Sequence, residues 1–197
     1  MSDEEEGEEE EKEKIVTWIG ELVNFIPHGK GVASFPNGDI FEGSYKLGKR
    51  DGEGLYKFAS GAQFEGMYVD NIKNGYGVMK YPDGGVYEGH WFLDKKHGTG
   101  TYKYQSGDLY KGEWKDDLRH GIGTYYFKDS MSQFCGNWEN GSFKFGEWIF
   151  RDGNVYKGFF IDNKPDGEGK YTFFASKNTM HGSWREGKWV PGSLISS

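Results

Sequence analysis

Residues 110–127 read YKGEWKDDLRHGIGTYYF, placing three glycines and five aromatic residues among eighteen positions, with charge in most of the gaps. Packed cores seldom mix these types, because glycine fills no space and tyrosine carries a hydroxyl. The same phrase occurs upstream as FEGSYKLGKRDGEGLYKF (41–58), so the segment is one copy of a repeat. An aromatic-x-Gly-x-aromatic unit begins at Trp18, Phe41, Phe64, Tyr87, Tyr110, Phe134 and Tyr156, with a weaker copy at Met180. Successive copies lie 22 to 24 residues apart, and each keeps its glycine: Gly20, Gly43, Gly66, Gly89, Gly112, Gly136, Gly158 and Gly182. Most copies are followed by a Gly-x-Gly, as at Gly52/Gly54, Gly98/Gly100 and Gly121/Gly123.

Turn residues divide each copy in two. Gly48, Asn71, Asp94, Asp117, Asn140–Gly141 and Asn163 follow the first half, and Asn37–Gly38, Ser60–Gly61, Asp83–Gly84, Ser106–Gly107 and Asp152–Gly153 follow the second. Such residues supply the positive φ of tight hairpin turns. Each copy therefore reads as a β-hairpin, and the hairpins as a meander. Side chains alternate faces with period two. Tyr87, Gly89 and Trp91 then share a face, as do Gly98, Gly100, Tyr102 and Tyr104, while Glu42, Ser44, Lys57, Glu88, Lys103, Lys111 and Glu113 lie opposite. One face is aromatic and glycine; the other is polar. A glycine leaves a gap over the backbone into which a ring from the next strand can fold. Alternatively, the loop-side glycines serve positive φ. The fold expected is all-β: an elongated, single-layer antiparallel meander of about seven full hairpins and a partial one. About fifteen strands at ~4.8 Å give a ribbon roughly 70 Å long. WIGELVNFIPHGKG (18–31) and WVPGSLISS (189–197) are candidate caps for its open ends.

Glycine is 32 of 197 residues, about 16% against a usual ~7%, and aromatics reach 18%. Residues 1–14 (MSDEEEGEEEEKEK) hold nine of the 31 acids and two of the 24 Lys and Arg, leaving 22 of each sign in the remainder. That run repels itself and is expected to be disordered, either a solubilising tail or an electrostatic arm for a basic partner. The domain reading is a disordered acidic tail (1–14), a repeat array (15–190) and a C-terminal cap or tail (191–197). A neutral body suits neither nucleic acid nor an anionic membrane. The one cysteine, Cys135, fits a reducing compartment, the acidic start is unlike a signal peptide, and no apolar run approaches ~20 residues. Cytoplasmic placement without membrane insertion is the expectation.

Little points to chemistry. His28, His97 and His120 share one repeat position, filled elsewhere by Asp51, Asn74 and Asp166, which reads as a turn residue tolerating an unusual backbone. The Gly-x-Gly pairs lie between strands with no helix to cradle phosphate. Cys135 has no partner constellation. No catalytic residue, cofactor or metal is expected. FCGNWENGSFKFGEWIF (134–150) departs from the pattern, with Lys144 replacing the first glycine of the pair. It is either a bulge or a docking feature.

The unit Tyr-x-Gly-x-Trp, a turn, then Gly-x-Gly-x-x-x-Tyr and a final glycine, over about 18–190, resembles the MORN repeat (membrane occupation and recognition nexus). The resemblance implies a single-layer scaffold, often self-associating and in several members linked to membranes. More narrowly, residues 35–91 and NKPDGEGKYTFFASKNTMHG (163–182) are similar to the radial spoke head proteins of motile cilia, as is an acidic leader. That implies a cytoskeletal, axonemal setting, with other radial spoke head proteins as partners, a second copy as a further one, and electrostatic contact with the central apparatus. The aromatic face is the expected partner-binding strip: Phe41, Tyr45, Phe64, Tyr68, Tyr87, Trp91, Tyr110, Trp114, Trp138 and Trp148. Rival readings are a phosphoinositide-binding membrane scaffold and a regulatory array acting on an enzyme in trans.

Overall fold

The computed structural model describes residues 16–195; the acidic tail 1–14 and residues 196–197 lie outside them. Eight hairpins follow in order. They are β1 (Thr17–Val23) with β2 (Ile26–Ser34), β3 (Ile40–Lys46) with β4 (Lys49–Lys57), β5 (Gln63–Val69) with β6 (Ile72–Lys80), and β7 (Val86–Phe92) with β8 (Lys95–Lys103). Then come β9 (Leu109–Lys115) with β10 (Leu118–Phe127), β11 (Ser132–Glu139) with β12 (Ser142–Ile149), β13 (Val155–Ile161) with β14 (Lys164–Thr172), and β15 (Thr179–Arg185) with β16 (Lys188–Ile195). All pair antiparallel with their chain neighbours in one open sheet. Sixteen strands form rather than about fifteen, and the sheet continues through Pro191 to Ile195, so the expected array boundary at 190 falls inside a strand.

Two turn chemistries alternate. Within each hairpin a two-residue turn takes positive φ at both positions, as at Asp70/Asn71 (50° and 74°) and Asp116/Asp117 (49° and 69°). Its twist matches that of the flanking strands. Between hairpins, five of the seven longer connections close on a glycine at positive φ, such as Gly38, whose N–H donates to Phe35 O at 3.0 Å; Met131 and Lys177 take that conformation in the other two.

Fifteen strands are aligned on glycine. Gly20, Gly31, Gly43, Gly54, Gly66, Gly77, Gly89, Gly100, Gly112, Gly123, Gly136, Gly146, Gly158, Gly169 and Gly182 face one another in unbroken succession. This ladder is the floor of the core. Phe41 lies over Gly43 and Gly54, Phe64 over Gly66 and Gly77, Tyr87 over Gly89 and Gly100, and Tyr110 over Gly112 and Gly123. The ring comes from two residues upstream on the same strand, not from the next strand. A Cβ on Gly66 would come within 2.9 Å of Phe64 and 2.6 Å of the Gly77 backbone, so only glycine fits.

The first glycine of each Gly-x-Gly has a different task. His97, Gly98 and Thr99 together oppose the single His90, so two extra residues bulge out of β8. Gly98 sits at the bend with φ +61°, and an added Cβ there would point toward His90, on the polar face. The expected shared face of Gly98 and Gly100 is thus corrected. The slot of His28, Asp51, Asn74, His97, His120 and Asp166 is corrected too, since none of the six has positive φ; the unusual backbone is on the glycine that follows.

Residues 134–150 hold a bulge of one extra residue, Lys144, instead of two. Losing one residue reverses the alternation, so Phe143 turns onto the aromatic face and supplies the ring over Gly136 and Gly146.

Candidate functional site: the two faces of the sheet

On the aromatic face the row of rings nearest the glycine ladder is sealed, while a second row, including Phe35, Phe58, Tyr81, Tyr102, Tyr104 and Tyr125, stays half-buried. Of the ten residues expected as a docking strip, Phe41, Tyr45, Phe64, Tyr68, Tyr87, Trp91, Tyr110, Trp114 and Trp138 are 8% exposed or less, and only Trp148 is half-buried. The expectation of a half-covered strip is corrected: these rings are the core. They form a zigzag of edge-to-face contacts, Phe64–Trp91 5.2 Å, Tyr87–Trp91 5.2 Å, Tyr87–Trp114 5.3 Å, Tyr110–Trp114 5.1 Å and Tyr110–Trp138 5.3 Å between centroids. Each such pair adds ~0.5–1.5 kcal/mol beyond burial. Indole N–H groups anchor the zigzag to the ladder, Trp114 Nε1 donating to Gly100 O at 3.2 Å and Trp138 Nε1 to Gly123 O at 3.1 Å.

A row of cations completes the cover. Arg50 lies 5.0 Å from the Tyr56 ring and 5.1 Å from Tyr68, and Lys73 lies 4.7 Å from Trp91. Lys96 is 5.1 Å from both Tyr102 and Trp114, and Arg119 is 4.5 Å from Trp138. The Lys73 and Lys96 side chains are only 18% and 14% exposed, and burial lowers their pKa, partly offset by Asp94 and Asp117. Their spacing of 23 residues was available in the sequence, but in a chain rich in lysine it did not distinguish a cation over rings from one in water.

The hairpin turns act as staples. Asn71, Asp94 and Asp117 each donate a backbone N–H to the carbonyl of the second residue of the previous hairpin's second strand (Arg50, Lys73 and Lys96), at 2.9–3.1 Å. In return, Arg50, Lys73 and Lys96 donate their N–H to the Asn71, Asp94 and Asp117 side chains at 2.8–3.0 Å. A second staple joins the opposite ends: Asp39 accepts from Ala59 N–H (2.8 Å) and Tyr56 Oη (2.7 Å), and Asp108 from Lys128 N–H and Tyr125 Oη (both 2.9 Å). These bonds hold the Asp39 carboxyl below the usual carboxylate range, the Ala59 N–H contributing most.

The opposite face is open, and less polar than expected. Tyr76, Ile122, Phe145, Phe159 and Val190 are exposed on it, with Phe145 and Phe159 rings 4.9 Å apart. A groove of about 970 Å³ crosses β2 to β6 above the ladder backbone, walled by Glu42, Glu53, Glu65, Leu55, Met67 and Val78. A second, of about 620 Å³, crosses β12 to β16 beside Lys157, Lys170 and Arg185. Sequence reading missed both, since each is a gap between rows of outward side chains on neighbouring strands rather than a motif. Among the described residues, no group of three or more His, Cys, Asp or Glu is placed to hold a metal ion. The Nδ1 atoms of His28 and His97 are buried without a protein partner.

A profile of the MORN repeat matches residues 18–40, 41–63, 64–86, 87–109, 110–132 and 156–174. The chain belongs to the MORN-repeat family. The gap between matched copies, 133–155, contains the one-residue bulge at Lys144. The MORN repeat is a non-enzymatic module, and the array is a repeat-based interaction scaffold. Solved structures with some likeness include the SAS-4 (dCPAP) TCP domain of Drosophila melanogaster in complex with a proline-rich motif of Ana2 (dSTIL). It is 11% identical over 73% of this chain and 81% of that one, with a TM-score of 0.46. The TCP10 domain of Danio rerio CPAP is 14% identical over 86% of this chain and 90% of that one, with a TM-score of 0.31. No curated protein matches the sequence.

Proposed function

We propose that this MORN array is a non-catalytic scaffold of the radial spoke head in motile cilia, where its glycine-ladder groove receives another head protein. The scaffold reading rests on one contrast: nine of the ten rings expected to dock a partner are consumed by the core, whereas the opposite face is open and grooved. The axonemal setting rests on the likeness of 35–91 and 163–182 to radial spoke head proteins. Glu42 and Glu65 stand on alternate strands, with Leu55 between them and Glu53 in the adjoining row, so the groove suits a segment that interleaves Lys or Arg with apolar side chains. The acidic tail 1–14 would add longer-range attraction to basic surfaces of the head or central apparatus. Capture from ciliated cells with the purified full-length chain tests this. Radial spoke head proteins should be retained, and a Glu42→Lys/Glu65→Lys double variant with unchanged circular dichroism should lose them. Retention by the double variant, or sedimentation of the chain with phosphoinositide vesicles instead, would remove the reading.

A further inference from the structure

The first hairpin is unlike the other seven. Its turn residue Phe25 is 95% exposed at φ +63°, a conformation that favours asparagine, aspartate or glycine and holds a large side chain only at a cost. Around it, Ile19 (75% exposed), Leu22, Val23 and Ile26 are exposed as well. Strand β1 carries a single charge, Glu21, and among the described residues nothing pairs with its outer edge. Edge strands are normally blunted by lysine, proline or bulges. At the other end of the sheet β16 follows that rule, with Lys188 and Pro191. In β1 it is ignored, and both faces of the strand are apolar: Trp18 and Leu22 on the aromatic side, Ile19 and Val23 on the other.

We infer that β1 is an interface for a second copy of this chain, pairing antiparallel with the same strand of its partner about a twofold axis at Gly20. Gly20 opposite Gly20 extends the alignment found at every junction from β1 to β15. It sets Trp18 against Leu22, Ile19 against Glu21 and Thr17 against Val23, so all seven residues of the strand find partners. Trp18 with Leu22 is a stabilising aromatic–aliphatic cross-strand pair. The unequal edges select the symmetry. A head-to-tail contact of β1 with β16 would propagate into a filament, and Pro191 removes one backbone donor from that strand. Pairing of β1 with itself closes at two copies. One strand pair buries less than a standard interface, so the dimer is expected in the micromolar range. The interface would form whatever binds in the ladder groove.

Sedimentation of the full-length chain carrying Cys135→Ser is the test, that substitution removing the exposed native thiol. A monomer–dimer equilibrium should appear between roughly 1 and 100 μM. Ile19→Lys with Leu22→Lys should leave a monomer over that range with an unchanged β-sheet spectrum. In the same background, Ile19→Cys with Glu21→Cys should form a disulfide-linked dimer on mild oxidation, because those positions face each other across the axis. A chain that stays monomeric throughout overturns the proposal. So does one that dimerises only after residues 1–14 are removed, or a lysine variant that still dimerises.

Discussion

Gly98 and Gly100 lie two residues apart in β8 and should respond to alanine for opposite reasons. At Gly100 the three atoms nearest an added Cβ all belong to the Tyr87 ring, with Cζ at 2.6 Å and Cε2 at 2.7 Å. Tyr87 is fully buried and sits edge-to-face on Trp91 and Trp114. Overpacking by a methyl typically costs ~1–3 kcal/mol, and loosening two aromatic contacts adds ~0.5–1.5 kcal/mol each. Gly100→Ala should therefore destabilise by about 2–6 kcal/mol. At Gly98 the space is open, His90 Cβ lying 3.5 Å away, and the cost is the left-handed backbone alone, about 1–2 kcal/mol. Urea unfolding followed by tryptophan fluorescence reads both, with a cycle through Tyr87→Leu. If the ring is the obstacle, Gly100→Ala should cost at least about 1 kcal/mol less when combined with Tyr87→Leu, while the Gly98→Ala cost should not change. Equal costs at the two glycines, or no coupling to Tyr87, would refute the division of labour between ladder and bulge.

Tyr56 and Tyr156 are pushed up to about 12, and Tyr68, Tyr81, Tyr87, Tyr110 and Tyr125 higher, burial being the main cause for each. The folded chain thus holds protons that the unfolded one releases near pH 10. The stability from these groups is complete below about pH 10 and lost as pH rises through their folded values, so the melting temperature should be flat to about pH 10 and fall steeply above it. The Tyr156 hydroxyl is buried without a partner, so Tyr156→Phe should be neutral or stabilising at pH 7 and should flatten the alkaline limb. Asp117→Ala removes the acceptor for Lys96 N–H at an exposed site and should cost about 1 kcal/mol in the same unfolding assay. Asp39→Ala strands the Tyr56 hydroxyl and the Ala59 N–H and should cost about 1–3 kcal/mol.

The hairpins, the turns and the glycine–aromatic face were legible in the sequence because they obey short-range rules: Asn-Gly and Asp-Gly at bends, period two between them. The bulges were not, and their size explains why. Two extra residues, such as Gly98 and Thr99, leave the alternation intact on both sides, so a count along β8 passes over them without contradiction. Where the bulge has one extra residue, at Lys144, parity breaks, and the departure from the repeat was visible there. Closure over the inner row of rings escaped for another reason. Exposure of Trp91 or Trp114 depends on Lys73 and Lys96, which arrive from neighbouring strands, and on turns stapled to the next hairpin. The apolar character of the opposite face is hidden in the sequence because charged and polar residues fill it through the earlier repeats, while Ile122, Phe145 and Phe159 stand in later ones.

The fold and both of its faces depend on rings lying flat over a continuous row of paired glycines. Glycine Hα chemical shifts, with cross-strand Hα–Hα contacts, report this most directly, because a proton beneath an aromatic ring is shifted upfield. Gly54, Gly77, Gly100 and Gly123 should be displaced upfield and show contacts to Gly43, Gly66, Gly89 and Gly112, whereas Gly52, Gly75, Gly98 and Gly121 should lie at ordinary positions. Unshifted ladder glycines, or upfield shifts in the bulge set instead, would contradict it.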